Sequence, residues 1–368
     1  MSTPTGPETL FQARRAKLAA LGTVALVPGA NLRYFTGLAL HPSERPTVAF
    51  VRGAALLIVA PELERPQLEA HPDLGASVLT WRDDEGPEGA FRRALGELAL
   101  AGELGVDASA MRVSELLLLQ RLQPGLGVRD CTRDLLRLRA RKDEAELLAM
   151  RRAAALSEAA LEALLAQLEP GLSEREIAAR LTNALSAALS EGHAFAPLVQ
   201  TGPNSALPHG AVSDRRLRAG EPLLIDFGGT CGGYPADITR TFCLGEPPAA
   251  LRRLYEVVSA ANRAAVRAVG PGVPMQEVDR AARRVIAEAG FGERFIHRTG
   301  HGLGLEVHES IPQLAEGVLD PLEPGMVMTV EPGVYLPGFG GVRLEDEVLV
   351  TETGAELLTH SPHRLQLP

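Results

Sequence analysis

Apolar and polar positions recur with two different periods along the first third of the chain. Short apolar runs at 23–28 (TVALVP), 47–51 (TVAFV), 55–60 (ALLIVA), 77–81 (SVLTW) and 104–107 (LGVD) read as buried strands bounded by turn residues. Between them, residues 61–70, 87–100 and 113–122 place apolar side chains at helical spacing. This alternation predicts an α/β domain without a glycine-rich phosphate loop, since Gly29 is followed by Ala-Asn rather than by spaced glycines. A strongly basic stretch, RDLLRLRARK at 133–142, marks the join to a second domain. Beyond it an Ala/Leu/Glu helix runs from about Asp143 to Glu169 and stops at Pro170-Gly171. Ser173 and Glu176 then form a capping box for a helix ending by Gly192. The expected division is residues 1–135 and 136–368.

The second domain echoes itself. Pro170-Gly171 with Glu176-Ile177 recurs, 101 residues later, as Pro271-Gly272 with Glu277-Val278. Each copy leads to a segment bearing glycine and histidine, LPHG at 207–210 and TGHG at 299–302. Two similar halves packed together would build a site on their shared axis.

Polar residues interrupt the apolar strands of this domain at four places. In LLIDFGGTCGGYPADITRTFCL, a hairpin centred between Cys231 and Gly232 pairs residues whose numbers total 463, which sets Asp226 opposite Asp237. In VMTVEPGVYLPGFGGVRLEDEVLV, a hairpin centred on Gly338 pairs residues totalling 676, which sets Glu331 opposite Glu345. Arg343 shares a face with Glu345, because strand side chains alternate. Buried carboxylates cost several kcal/mol apiece or stay protonated, so two such pairs call for cations between them. The segment IHRTGHGLGLEVHES adds His297, His301 and His308 on a glycine-broken, non-helical stretch, and His209 is a fourth imidazole. Four carboxylates with at least one imidazole suit two divalent ions, Mn²⁺, Co²⁺, Fe²⁺ or Zn²⁺, and thereby metal-assisted hydrolysis.

Composition narrows the setting. The chain has 368 residues, enough for two domains, with 45% apolar and 23% charged residues and a mean hydropathy of +0.03, values of a globular protein. Its 37 basic and 46 acidic residues give a formal net charge of -9, which argues against a nucleic-acid partner held through phosphates. Cys131, Cys231 and Cys243 are too few and too scattered for a disulfide framework or a zinc knuckle. The amino-terminal stretch has no signal-peptide pattern, and no apolar run reaches membrane-spanning length. A cytoplasmic location without membrane contact is expected.

The motifs IDFGG...GYPADITRTF, HRTGHGLGLEVHE, TVEPGVY and GVRLEDEVLVT resemble those of the pita-bread metallopeptidases, in the proline-directed branch of prolidase and aminopeptidase P. The resemblance spans roughly residues 140–360, and the preceding domain has the size and α/β character of that branch's creatinase-type amino-terminal domain. It implies an α/β domain followed by an α+β pita-bread catalytic domain with a pseudo-twofold internal repeat. By position it implies Asp226, Asp237, His301, Glu331 and Glu345 as ligands of two divalent ions, manganese first, with Asp237 and Glu345 bridging. His209 and His308 match the family's substrate-side histidines, and Glu331 is the implied proton shuttle. Arg343, Tyr234 and His297 fall at further site positions.

The implied reaction is hydrolysis of an Xaa-Pro peptide bond in a small peptide, by a homodimer. Proline lacks the N–H that ordinary peptidases grip. A dipeptidase must also hold a free carboxylate beyond the proline, and Arg45, in the polar loop HPSERP, is a candidate clamp. An Xaa-Pro dipeptidase is the first expectation, with aminopeptidase P acting on longer peptides as the alternative. A non-catalytic binding module, or a metal-free creatinase-like hydrolase on the same fold, is the reading from another class. The complete ligand set speaks against it.

Overall fold

A computed structural model of the chain describes residues 7–100 and 102–368; the first six residues, part of the stretch read for a targeting signal, lie outside them. The chain forms two compact units, Met1–Arg139 and Ala140–Pro368. The division falls four residues beyond the expected one, because residues 132–140, which take in most of the basic stretch, are themselves a helix.

In the first unit α1 (Pro7–Ala16), β1 (Thr23–Leu26), α2 (Ala30–Thr36), β2 (Val48–Arg52), β3 (Ala55–Pro61), α3 (Arg65–Glu69), β4 (Ser77–Trp81), α4 (Glu88–Leu98), β5 (Glu103–Val106), α5 (Val113–Leu122), β6 (Gly127–Asp130) and α6 (Thr132–Ala140) follow in order. Six strands make one mixed sheet, β4-β3-β2-β1-β5-β6. The five expected strands are present. The helix expected over 61–70 is shorter, since Pro61 ends β3 and a 3₁₀ turn precedes Arg65. Pro66 has no N–H and so fits only the first turn of α3.

The second unit is built twice. Its first half comprises α7 (Glu144–Leu165), α8 (Glu174–Ala187), β7 (Leu198–Thr201), β8 (Pro222–Phe227), β9 (Thr230–Cys231), β10 (Tyr234–Pro235) and β11 (Ile238–Leu244). The second comprises α9 (Ala249–Ala268), α10 (Met275–Glu288), β12 (Gly300–Gly302), β13 (Glu309–Leu314), β14 (Val327–Val330), β15 (Gly333–Leu336), β16 (Gly340–Arg343), β17 (Asp346–Val350) and β18 (Ala355–Leu357), and β19 (Gln366–Leu367) returns to pair with β11. Asp143 and Ser173 cap α7 and α8 reciprocally with Glu146 and Glu176.

The 101-residue echo is structural. Helices α8 and α10 both have 14 residues and start 101 positions apart. Gly171 N–H donates to Leu217 O and Gly272 N–H to Leu322 O, both at 2.8 Å; Glu174 N–H to Arg215 O (3.0 Å) is matched by Met275 N–H to Asp320 O (3.1 Å). Each half has its own core. Leu161, Leu181, Leu223, Ile225 and Phe227 cluster in the first, and Leu254, Val278, Met328, Val330 and Val348 in the second. Because Leu223, Ile225 and Phe227 pack on the helices, Asp226 points to the opposite face. Met328, Val330 and Val348 likewise turn Thr329, Glu331 and Glu347 away from α9 and α10. The carboxylates of both halves thus converge between them.

Candidate metal centre and active site

The first hairpin turns one residue later than its sequence suggests. Residues 230 to 231 pair with 234 to 235, and Asp226 lies opposite Thr239, a register totalling 465 rather than 463. Gly232 and Gly233 occupy the two central turn positions with φ of +60° and +78°. A two-residue hairpin turn of this kind needs positive φ at both, which glycine supplies without strain. Asp237 is therefore a diagonal neighbour of Asp226, not its direct partner. Moving the turn centre by one residue changes the total by two, so parity and face are preserved.

The second hairpin has the expected register. Val327 to Val330 pair with Asp346 to Leu349, and Gly333 to Leu336 pair with Gly340 to Arg343, all totalling 676. Glu331 and Glu345 sit in the gap between the two ladders, where Glu345 N–H donates to Thr239 O (3.0 Å) across the halves.

β12 brings His301 to the same place. A Cβ on Gly300 would lie 1.9 Å from Thr329 O, so only glycine permits this approach to β14. Oxygen and nitrogen atoms of Asp226, Asp237 and Glu345, of His301, Glu331 and Glu345, and of Asp237, His301 and His308 each fall within 4.8 Å of one another. Asp237 and Glu345 belong to groups on both sides.

The donors fit divalent cations. His301 Nδ1 lies 3.1 Å from Gly302 O; a carbonyl only accepts, so Nδ1 carries the proton and Nε2 presents a lone pair. That lone pair faces Glu331 Oε1 at 3.4 Å and Asp237 Oδ2 at 3.6 Å, acceptor against acceptor. Asp226 Oδ1 is buried without a hydrogen-bond partner. Burial holds the His301 imidazolium down to about 3, so the ring is the neutral form a metal binds. Burial, then Glu345 and Asp226, push the Asp237 carboxyl well up; burial, then Glu331 and Asp226, do the same for Glu345. Burial lifts Glu331 to about 7, against the pull of Arg343. Without cations these groups stay partly protonated.

Several supporting residues are not apparent from the motifs. Thr239 Oγ1 donates to Glu345 Oε2 (2.6 Å) and accepts from Arg343 Nε (3.1 Å), while Glu347 Oε1 accepts from Asp237 N–H (2.9 Å). Arg343 is buried and donates to Asp226 and to Tyr335 Oη (3.1 Å). His297 Nδ1–H donates to Arg298 O (2.8 Å), leaving Nε2 to accept from the Tyr335 hydroxyl (2.9 Å). A directed chain, Arg343 to Tyr335 to His297, thus keeps this imidazole neutral, and burial holds it down to about 4. Register 676 puts Tyr335 on the face of Arg343, and register 465 puts Thr239 on that of Asp226. Correct registers alone would have flagged both.

The five donors line a cavity of about 460 Å³. His209, His297, His308 and Arg343 line it with the five donors, and so do Phe195, Leu198, Pro208 and Arg298, which the motifs do not single out. The His308 ring lies tilted against that of His301, ring centres 4.1 Å apart. Tyr234 is not brought there: it is buried beside Leu147, Met150 and Leu303, and its hydroxyl donates to Glu146 Oε1 (3.0 Å). Arg45 belongs to the first unit, where Asp83 takes its fork at 2.9 and 2.8 Å and Glu44 a third bond at 2.5 Å.

Carboxylates bent inward around a bare imidazole nitrogen, on a duplicated α+β unit, define a metal-dependent enzyme. Residues 148–352 match the description of metallopeptidase family M24, and residues 13–141 match the creatinase/prolidase N-terminal domain. The chain belongs to metallopeptidase family M24 and carries its pita-bread fold. It is 40% identical to the probable dipeptidase PepE of Mycobacterium tuberculosis over 96% of both chains. Among solved structures, prolidase from Thermococcus sibiricus superposes with a TM-score of 0.92 at 33% identity, covering 99% of this chain and 100% of that one. The X-Pro aminopeptidase of Thermotoga maritima superposes with a TM-score of 0.86 at 29% identity, covering 96% of this chain and 100% of that one.

Proposed function

We propose that this protein is an Xaa-Pro dipeptidase in which two divalent ions, manganese in the cell, are held by Asp226, Asp237, His301, Glu331 and Glu345. The convergence of these five donors, with His301 Nε2 deprotonated toward Asp237 and Glu331, carries the reading. When bound, the ions supply Lewis-acid polarisation of the scissile carbonyl and an acidified water. The protein's own groups do the rest. Asp237 and Glu345, each belonging to groups on both sides of the cluster, would help to hold both ions. Glu331, which lines the cavity beside His301, would take a proton from the attacking water and return it to the departing proline nitrogen. His209 and His308 reach the cavity as donors for the carbonyl oxygen as charge develops there. Phe195, Leu198 and Pro208 supply an apolar wall suited to a ring without an N–H.

The dipeptidase and prolidase relatives favour a dipeptide substrate. The X-Pro aminopeptidase neighbour supports a second reading, action on longer peptides. Assay of Ala-Pro beside Ala-Pro-Ala after chelation and readdition of Mn²⁺, Co²⁺ or Zn²⁺ separates them; efficient cleavage of the tripeptide alone selects the second. Free thiols at Cys131, Cys231 and Cys243 accord with a cytoplasmic location, and among the described residues no helix is long and apolar enough to cross a membrane. The resemblance further implies a homodimer, which sedimentation or light scattering would test.

A further inference from the structure

The second unit has another cavity, of about 380 Å³, bounded by α9, β18 and the segment 359–363 that leads to β19. It shares no lining residue with the cavity of the five donors. Its charges are unbalanced. Arg263 and Arg267 lie one turn apart on the same face of α9, a spacing at which like charges repel, and both are exposed. Arg263 donates to the Ser259 hydroxyl (2.7 Å), a neutral partner, and Arg267 makes no side-chain hydrogen bond or ion pair among the described residues. The one acid among the lining residues, Asp346, is already filled. Its Oδ1 accepts from Arg240 (2.8 Å) and Thr359 (3.0 Å), and its Oδ2 from His363 Nε2–H (3.0 Å). With Asp346 matched by Arg240, two guanidinium charges are left over, in a chain of formal net charge -9. The Tyr255 hydroxyl, in the field of Arg240, Asp346 and Arg263, is buried without a hydrogen-bond partner.

The floor of this cavity is tied to the backbone that carries two of the metal donors. Asn262, in its wall, donates Nδ2–H to Val330 O (3.0 Å) and Leu344 O (3.4 Å), the residues just before Glu331 and Glu345. Asp346 directly follows Glu345, and Arg240, which holds Asp346, also donates to Glu345 O and to Thr239 O (3.1 Å). The N–H groups of His360 and Ser361 donate to Glu158, which fixes the opposite wall. A contiguous set of hydrogen bonds thus joins the cavity to the metal centre.

We infer that this cavity is an effector site for a small phosphate-bearing anion, held by Arg263 and Arg267 and coupled to the metal centre through Asn262 and Arg240. Planar guanidinium forks match phosphate oxygens, and the two charges left over equal those of a phosphate monoester dianion. Val266 and Leu357 supply an apolar side for the rest of such an ester. The coupling rests on the five-donor metal centre and the binding does not, so their failures are distinguishable.

Glycerol 3-phosphate, inorganic phosphate and acetate should be titrated calorimetrically into chelated, dialysed protein at constant ionic strength. About one glycerol 3-phosphate should bind per chain, with acetate at least about tenfold weaker. The double variant Arg263→Gln/Arg267→Gln, at unchanged thermal midpoint, should lose at least about tenfold in that affinity. Inorganic phosphate bound as tightly as the ester would identify the free ion as the ligand. Glycerol 3-phosphate should also shift Mn²⁺ affinity several-fold in the unaltered protein beyond its effect on the double variant, which controls for Mn²⁺ taken up by the phosphate itself. No binding, equal binding by the double variant, or binding only once Mn²⁺ is present would overturn the site, the last because the phosphate then sits on the ions. Binding that leaves Mn²⁺ affinity unchanged would overturn the effector role.

Discussion

Glu331 and Glu345 face one another in the two-residue gap between two ladders of a single hairpin, both ladders in the same register. The gap takes the backbone out of strand pairing where two carboxylates would otherwise be forced together. Replacing Glu345 with Gln keeps its shape and its Thr239 contact but removes a charge shared between both sides of the cluster. Turnover of Ala-Pro should fall at least about 100-fold, with loss of ion binding measured by metal analysis of the dialysed protein.

Arg343 is the only cation bonded to the cluster among the described residues, through Asp226. In the chelated protein, Arg343→Gln leaves Asp226 and the Tyr335–His297 chain without it. Removing one partner of a buried pair costs about 3–5 kcal/mol, which urea unfolding of the metal-free variant should reveal. Metal addition should recover part of that loss.

Thr239 acts on the cluster through its 2.6 Å hydrogen bond to Glu345 and through Arg343, whose Nε–H it accepts at 3.1 Å. Thr239→Val preserves volume and removes the donor. Metal affinity should weaken about 10- to 100-fold, seen as a higher Mn²⁺ concentration for half-activation, with kcat at saturating metal much less affected.

The metal-free protein should lose stability as pH rises. Burial and like charges raise Asp237 and Glu345, and burial raises Glu331 from 4.5 to about 7 and Glu347 from 4.5 to about 8. Below about pH 6.5 these carboxyls are opposed by His301 and His297, held down to about 3 and 4 and so neutral where the unfolded chain's imidazoles take protons. Above it only the carboxyls act, the folded state binds more protons than the unfolded one, and the slope of stability with pH is negative. Between about pH 6.5 and pH 8 the contribution of Glu331 and Glu347 is lost as the pH rises through about 7 and about 8. Thermal midpoints of chelated protein should fall across this window, and saturating Mn²⁺ should flatten the curve.

Period and parity made much of this legible in the sequence. The repeat shows in Pro170-Gly171 and Pro271-Gly272, and the carboxylate pairs show because parity decides the face. Parity also explains why a register wrong by two still placed Asp226 and Asp237 together. Two adjacent glycines leave the turn centre ambiguous; only the need for positive φ at both settles it. What stayed hidden depends on partners distant in sequence. Arg45 looks free until Asp83, 38 residues on, fills its fork, and Tyr234 sits among the motif residues yet bonds to Glu146, 88 residues earlier.

Titration of the chelated protein with Mn²⁺, counting bound ions while following Ala-Pro hydrolysis, tests the central claim most directly. About two ions per chain are expected, with hydrolysis returning as the sites fill and neither binding nor hydrolysis restored in Asp237→Ala. Turnover that persists in chelator, or that survives intact in Asp237→Ala, would contradict it.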